Sequence, residues 1–260
     1  MNKVLNLIKK LLVFFRFPIK KETDEIVFPQ IMERKMGEQT ARFEAVVSDD
    51  PVRISDLCGE ETWWQDIVNM LEPIDCFWDI GSFTGLLTVY TAKKCSAGTV
   101  VAIEPDPDFM TRVTRNMELN NVQNVRTFNL GFSDVPGTLK LNTSGVEGWS
   151  PSFFQKELRE WIEVPVTTMD LLCKQYPELS PNIIKIDVEG FEGKVLAGAR
   201  AVLASPKLRA IFLELHPEFL VKNGQSIGKV LSLLEDNGFV LKEFRQRNAE
   251  IHVLALKQKV

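Results

Sequence analysis

From Asp75 onward the chain alternates short, continuous apolar runs with longer amphipathic stretches. The apolar runs cover 76–80, 99–103, 125–130, 183–188, 208–215, 239–244 and 251–256, and their length and content predict strands. Between them, 86–95, 108–119, 168–176, 193–204 and 227–237 carry apolar residues at helical spacing. Strands apolar on both faces and separated by helices predict a mostly parallel sheet with helices on either side. The last two runs are joined by the short link 245–250, which predicts an antiparallel hairpin at one edge. The expected fold class is α/β and Rossmann-like: a seven-stranded sheet with a C-terminal antiparallel hairpin and an N-terminal accessory segment.

The chain before Asp75 is less regular. Residues 60–72 predict a helix whose apolar face carries Trp63, Trp64, Ile67, Val68 and Leu71, ended by Pro73. Residues 42–47 alternate like a strand, Ser48-Asp49-Asp50-Pro51 reads as a turn, and Val52-Arg53-Ile54 reads as more of a small accessory sheet. At the start, residues 1–21 interleave apolar clusters with Lys3, Lys9, Lys10, Arg16, Lys20 and Lys21. Such a basic amphipathic helix either packs on its own domain or makes peripheral contact with an anionic membrane or a partner. The domain reading is an accessory segment over 1–60 and a catalytic domain over 61–260. An insertion at 131–166 interrupts the domain, with 138–141 and 161–166 as strands and Gly145, Trp149, Pro151 and Phe153 in a loop or short helix between them. Insertions on the ligand side of such sheets form lids or substrate walls, although a plain hairpin fits the same pattern.

Charge and composition narrow the field. A net charge of −4 over 260 residues gives no expectation of a nucleic-acid partner. The four cysteines, Cys58, Cys76, Cys95 and Cys173, form no Cys-x-x-Cys pair, which argues against a zinc or disulfide framework and for a reducing, cytoplasmic setting. Two histidines are too few for a His-rich metal site, and no run approaches the roughly 20 apolar residues of a membrane span.

The candidate chemistry sits at the strand ends. The first run ends in Asp79-x-Gly81-x-x-x-Gly85, a strand, a glycine turn and a helix start. Asp79 stands where a dinucleotide fingerprint has glycine, and its charge opposes a pyrophosphate. It suits a ligand with a cationic centre and an amino group, as in S-adenosylmethionine. Glu104 ends the second run about 20 residues beyond the turn, where a carboxylate accepts ribose hydroxyls. Asp134, after the third run, either meets an adenine amino edge or forms a turn.

The fourth run carries Lys185, Asp187 and Glu189, which share one face if the chain is extended throughout. Charges on a central strand need a partner or a task. The fifth run ends in Glu214-Leu215-His216-Pro217. His216 is either a general base or a rim histidine satisfied by its neighbours.

Asp79-Ile80-Gly81-Ser82-Phe83-Thr84-Gly85, Ile103-Glu104-Pro105 and above all the run from Ile184 through Asp187-Val188-Glu189-Gly190-Phe191 to Glu192 resemble the FkbM-type S-adenosylmethionine-dependent methyltransferases. The resemblance runs from about Asp75 to Leu256 and implies a class I methyltransferase fold and methylation of a hydroxyl on a sugar, natural product or other small molecule. Ser82-Phe83 stands where the family often has Ala-Asn. The expected cofactor set is Asp79, Gly81, Phe83, Gly85, Glu104, Asp134 and Asp187. The expected acceptor side is Glu189, His216 and Glu214, with Glu189 or His216 as base. The same carboxylates could instead hold a magnesium ion that acidifies the hydroxyl. Two other readings compete: a nicotinamide-dependent oxidoreductase, and a non-catalytic scaffold with this fold.

Overall fold

The computed structural model describes residues 28–142 and 161–258. The amphipathic stretch 1–21 and the loop with Gly145, Trp149, Pro151 and Phe153 lie outside the described residues.

A hairpin comes first, β1 (Gln30–Met36) against β2 (Gln39–Ala45). The turn after it does not lead into another strand. Residues 52–54 belong to helix α1 (Asp50–Asp56), with Pro51 in its first turn. The Asp50 carboxylate accepts from the Val46 and Val47 N–H groups at 2.7 and 2.9 Å, which folds the chain back and starts the helix. Leu57 then takes a left-handed φ of 52° and ends it. Helix α2 (Glu61–Met70) buries Trp63, Trp64, Ile67 and Val68 as the spacing predicts, and stops short of Pro73.

Strand–helix alternation follows: β3 (Cys76–Ile80), α3 (Leu86–Lys94), β4 (Thr99–Ile103), α4 (Pro107–Leu119) and β5 (Val125–Phe128). Asp106 caps α4 by accepting from the Asp108 N–H at 2.8 Å. The insertion builds a separate three-stranded sheet from β6 (Gly131–Phe132), β7 (Gly137–Asn142) and β8 (Trp161–Thr167), in the order β6-β8-β7. Next come α5 (Met169–Gln175), β9 (Ile183–Ile186), α6 (Glu192–Ala197) and α7 (Arg200–Ala204). The single helix expected over 193–204 is thus two. Asp170 accepts from the Ala201 and Val202 N–H groups at 3.0 Å each and so fixes a fresh N-terminus there. The chain closes with β10 (Ala210–Leu215), α8 (Pro217–Lys222), α9 (Ile227–Asp236), β11 (Phe239–Arg247) and β12 (Glu250–Lys257).

The main sheet has the order β11-β12-β10-β9-β3-β4-β5. Every described pairing in it is parallel except those of β12, which runs antiparallel to both β10 and β11. This is the seven-stranded Rossmann-like sheet with its C-terminal hairpin. Apolar side chains cover both faces. Trp78, Ile184, Leu213 and Val195 anchor one cluster. The other joins Phe43 of β2 and Trp63 of α2 to Tyr90 and Phe212. The hairpin before residue 60 therefore shares a core with the sheet, at roughly 1.5–3 kcal/mol per large buried side chain. No described helix is long and apolar enough to cross a membrane.

Candidate active site

Two loops meet at the carboxyl ends of β3 and β9. After β3, the Gly81 and Ser82 N–H groups both donate to the Ile103 carbonyl at 3.0 Å, turning the chain sharply. Gly81 has φ +78°, and a Cβ placed on it would stand 1.8 Å from the Asp187 carbonyl oxygen. Only glycine allows this loop to lie against the β9 end. Phe83, also left-handed at φ 51°, is held because its N–H donates to Glu104 Oε2 at 2.9 Å.

β9 ends at Ile186, so Asp187 and Glu189 do not share a strand face as an extended chain would have them. The chain turns through Glu189 (φ 52°) and Gly190 (φ 95°). The turn still gathers charges. Lys185 Nζ donates to the Gly81 carbonyl at 2.8 Å and sits 3.2 Å from Asp187 Oδ2 and 3.5 Å from Asp79 Oδ1. Burial opposes the Lys185 charge, but Asp187 and Asp79 outweigh it and raise its pKa. Burial likewise works against an ionised Asp187, yet Lys185 and His216 hold its pKa below the usual range. Asp79 lies under the turn, buried, with Oδ2 accepting from the Thr88 hydroxyl at 2.6 Å. Burial raises its pKa, against the pull of Lys185.

His216 follows β10 and faces the same spot. Its Nδ1 lies 2.7 Å from Glu192 Oε1, and its Nε2 lies 3.7 Å from Asp187 Oδ1 and 3.6 Å from Glu189 Oε2. Burial disfavours the imidazolium, but these three acids prevail and lift its pKa to about 10. Glu189 is pushed up to about 8, chiefly by burial.

Behind this group lies a second one that sequence reasoning missed, apart from Glu214. Arg247 Nη1 stands 3.1 Å from both Glu60 Oε1 and Glu214 Oε1. Glu60 also accepts from the Trp64 indole N–H at 2.7 Å, and His252 Nε2 is 3.3 Å from Glu214 Oε2. One arginine serves two buried carboxyls, and both are pushed up to about 7: Glu60 by burial, then by Glu214 and Asp187, and Glu214 by burial, then by Asp187. Glu60 precedes a helix and Arg247 ends a strand; neither position carries a sequence signal, because only the fold brings them together.

These groups line a cavity of about 350 Å³ whose wall includes Arg53, Glu60, Asp79, Gly81, Ser82 and Phe83, together with Lys185, Asp187, Glu189, Glu214, His216 and Arg247. A smaller cavity of about 60 Å³ continues past the turn, sharing Gly81, Phe83, Asp187 and Glu189 with the first. It is walled by Glu104 with Pro105, Phe132, Leu141, Val188 and Phe191. Glu104 is buried, which pushes its pKa up to about 8. Nine of the ten residues expected from sequence fall on or beside these cavities: Gly85 closes the turn through its N–H to the Ser82 carbonyl, at 2.8 Å. Asp134 is the exception. It is exposed, accepts from the Ser133 hydroxyl at 3.0 Å, and lines neither cavity.

The donor set suits S-adenosylmethionine. Asp79 Oδ1 and Ser82 Oγ are buried at the first cavity with no hydrogen-bond partner among the described residues. The Glu104 carboxylate beneath the apolar walls of the second offers acceptors to ribose beside a slot for a purine.

The Methyltransferase FkbM domain pattern matches residues 79–241, the span that holds Asp79, Gly81, Glu104, Lys185, Asp187, Glu189, Glu214 and His216. Among curated proteins, the hexuronic acid methyltransferase AglP of Haloferax volcanii is 29% identical over 202 residues, covering 76% of this chain and 79% of the relative. The 2-O-methyltransferase NoeI of Sinorhizobium fredii is 26% identical, covering 65% and 75%. Among solved structures, the crystal structure of methyltransferase FkbM from Methylobacillus flagellatus superposes with a TM-score of 0.50 at 15% identity over 75% of this chain. The present chain spans 46% of the length of that structure, so the likeness is one of fold. The strand order, the glycine turn and the matched span together place this chain in the FkbM methyltransferase family.

Proposed function

We propose that the chain methylates a hydroxyl oxygen of a sugar or other small molecule, with Glu189 as the group that takes the hydroxyl proton. The observation that supports this most is the convergence of Asp187, Glu189 and His216, whose ligand-type atoms lie within 4.8 Å of one another on the cavity wall beside the Gly81 turn. The names of the relatives, a 2-O-methyltransferase and a hexuronic acid methyltransferase, support a sugar acceptor.

S-adenosylmethionine supplies an electrophilic methyl group when bound. Asp79, Ser82 and Glu104 would hold it, and the Gly81 turn gives it room. For the acceptor, Glu189 and His216 are the two candidates for base, and their surroundings separate them. His216, at about 10, keeps its proton near neutral pH and donates rather than accepts. Glu189, at about 8, is close enough to neutrality to exchange a proton there, and it is half-buried on the wall. Asp187, ionised beside Lys185, completes the rim as a fixed acceptor able to orient the hydroxyl.

A divalent cation on the same rim is the second reading, since Glu192 on Nδ1 turns His216 Nε2 toward two carboxylates. The charge balance favours the base: Lys185 and His216 already neutralise the acids that a cation would need.

The test uses cofactor with a trideuterated methyl group, a panel of neutral and acidic sugars and simple alcohols, and mass spectrometry. Transfer to a hydroxyl is expected with chelator present. Glu189→Gln should lower kcat by about 100-fold and leave S-adenosylhomocysteine affinity unchanged. An unchanged kcat would remove Glu189 as the base, and activity abolished by chelator would favour the cation.

A further inference from the structure

The large cavity holds four cationic side chains, and three are committed. Arg247 is shared between Glu60 and Glu214, Lys185 serves Asp79 and Asp187, and His216 is surrounded by Asp187, Glu189 and Glu192. Arg53 is different. Its guanidinium has no hydrogen bond or ion pair with any described residue and rests on the Phe83 ring, 5.1 Å from the centroid.

That position is built. Phe83 packs against Phe109 with the rings tilted by 39° and centroids 4.3 Å apart, and the Arg112 guanidinium lies over the Phe109 ring, 5.6 Å from its centroid. Arg112 in turn pairs at 2.5 Å with Asp50, the first residue of the helix that carries Arg53. The circuit Arg53–Phe83–Phe109–Arg112–Asp50 closes on itself, so the guanidinium is held against the Phe83 ring with no described residue bonded to its N–H groups. A guanidinium held on an aromatic ring loses little further freedom when it forms paired hydrogen bonds, and its fork matches a carboxylate or a phosphate. Next to it Val52 is 65% exposed, which places Arg53 toward the cavity's outer part. Acids, Asp56 and Glu250 among them, outnumber cations on this wall, and among the described cavity residues Arg53 is the cation with no ion pair, so it is where an anionic group finds unpaired positive charge.

We infer that Arg53 is the anion-recognition residue of the acceptor site: the acceptor carries a carboxylate or phosphate that docks on Arg53 while its hydroxyl reaches Glu189. The acceptor class is an anionic sugar or sugar phosphate. This rests on the methyltransferase reading above, but binding to cofactor-product-loaded protein tests it without turnover.

The full chain, saturated with S-adenosylhomocysteine, is titrated with p-nitrophenyl β-D-glucuronide, p-nitrophenyl β-D-glucoside and α-D-glucose 1-phosphate. The wild type should bind one of the two anionic probes at least about tenfold more tightly than the glucoside. Which anion wins distinguishes the carboxylate from the phosphate. Arg53→Gln should erase the preference while leaving the glucoside unchanged, and Arg53→Lys, which keeps charge but loses the fork and the stack, should retain part of it. Each variant is also titrated with S-adenosylhomocysteine and with methylthioadenosine, which lacks the amino-acid part. No anion preference in the wild type, or a preference that survives Arg53→Gln, overturns the inference. So does a loss confined to S-adenosylhomocysteine, because Arg53 would then hold the carboxylate of the cofactor.

Discussion

His216 Nδ1 lies 2.7 Å from Glu192 Oε1, and this bond decides which ring nitrogen faces the cavity. Glu192 is itself fully buried and also accepts the Gly190 N–H at 3.0 Å, so the turn after β9 and the imidazole share one anchor. The arrangement explains how a histidine in a buried place stays charged.

Glu192→Gln should therefore uncouple charge from position. The amide oxygen can still accept from His216, but one of the three acids raising the imidazolium pKa is gone. The His216 pKa, read from its ring proton by NMR, should fall from about 10 toward its ordinary value, against a backdrop of only one other histidine. Since burial alone pulls the pKa down, a value that stays near 10 would mean that Asp187 and Glu189 suffice.

Lys185→Met tests the neighbouring group. It strips the cation from buried Asp79 and half-buried Asp187 and removes the bond to the Gly81 carbonyl. Leaving such charge unpaired should cost about 3–5 kcal/mol in urea unfolding. Adding Asp79→Asn should recover part of it. If the double variant is no more stable than the single one, the lysine is stabilising the turn through Gly81 and not through Asp79.

The sheet was legible in the sequence because its strands are apolar without interruption, from Cys76 to Ile80 and from Ala210 to Leu215 alike. The glycine turn and the Lys185 to Glu192 run were legible because their residue types are costly anywhere else. The helix at Asp50–Asp56 was not: Val52 and Ile54 are β-branched, and the start signal is a side chain bonding backward to Val46 and Val47. Glu60, Arg53 and Arg247 were invisible for a different reason. Each looks like an ordinary surface charge until the fold puts it on the cavity wall.

Glu104 and Asp134 give a contrast within the expected cofactor set. Glu104 is buried at the small cavity with both oxygens accepting backbone N–H groups, from Phe83 and Asp106. Asp134 is exposed beyond it. Glu104→Gln should weaken S-adenosylhomocysteine binding by about tenfold, the order expected for losing one hydrogen-bond acceptor to the ribose. Asp134→Ala should leave it within about twofold by the same calorimetry, as for a surface change touching no ligand. Equal losses in the two would place the purine nearer Asp134 than the cavity suggests.

Stability should fall as pH rises across neutrality. Glu60 and Glu214 at about 7, Glu104 and Glu189 at about 8, and His216 at about 10 all have folded pKa values above their ordinary ones. Groups of this kind bind protons more tightly when folded, so their contribution is present at low pH and is lost as pH passes the folded pKa. Asp187, with a lowered pKa, acts oppositely, and only in acid. The cofactor-free protein should melt on the order of 5 °C lower at pH 8.5 than at pH 6. Glu104→Gln should flatten part of that slope. A melting temperature that rises over this range would show that these carboxyls ionise freely.

Arg247 carries the last prediction. It is the cation between Glu60, at the start of α2, and Glu214, at the end of β10, and it also donates to the Cys58 carbonyl. It thereby ties the segment before residue 60 to the far half of the sheet, in addition to the apolar core they share. Arg247→Met leaves two buried carboxyls facing each other, and the cheapest response is for both to hold protons. The variant should be close to wild type below about pH 5, near the ordinary carboxyl range, and should lose stability steeply toward pH 8. Glu60→Gln in the same background removes one of the two charges and should restore most of the loss at pH 8. Denaturant midpoints at the two pH values read both effects. A loss equal at pH 5 and pH 8 would mean that the arginine holds the segment through Cys58 and packing, with the charge pair contributing little.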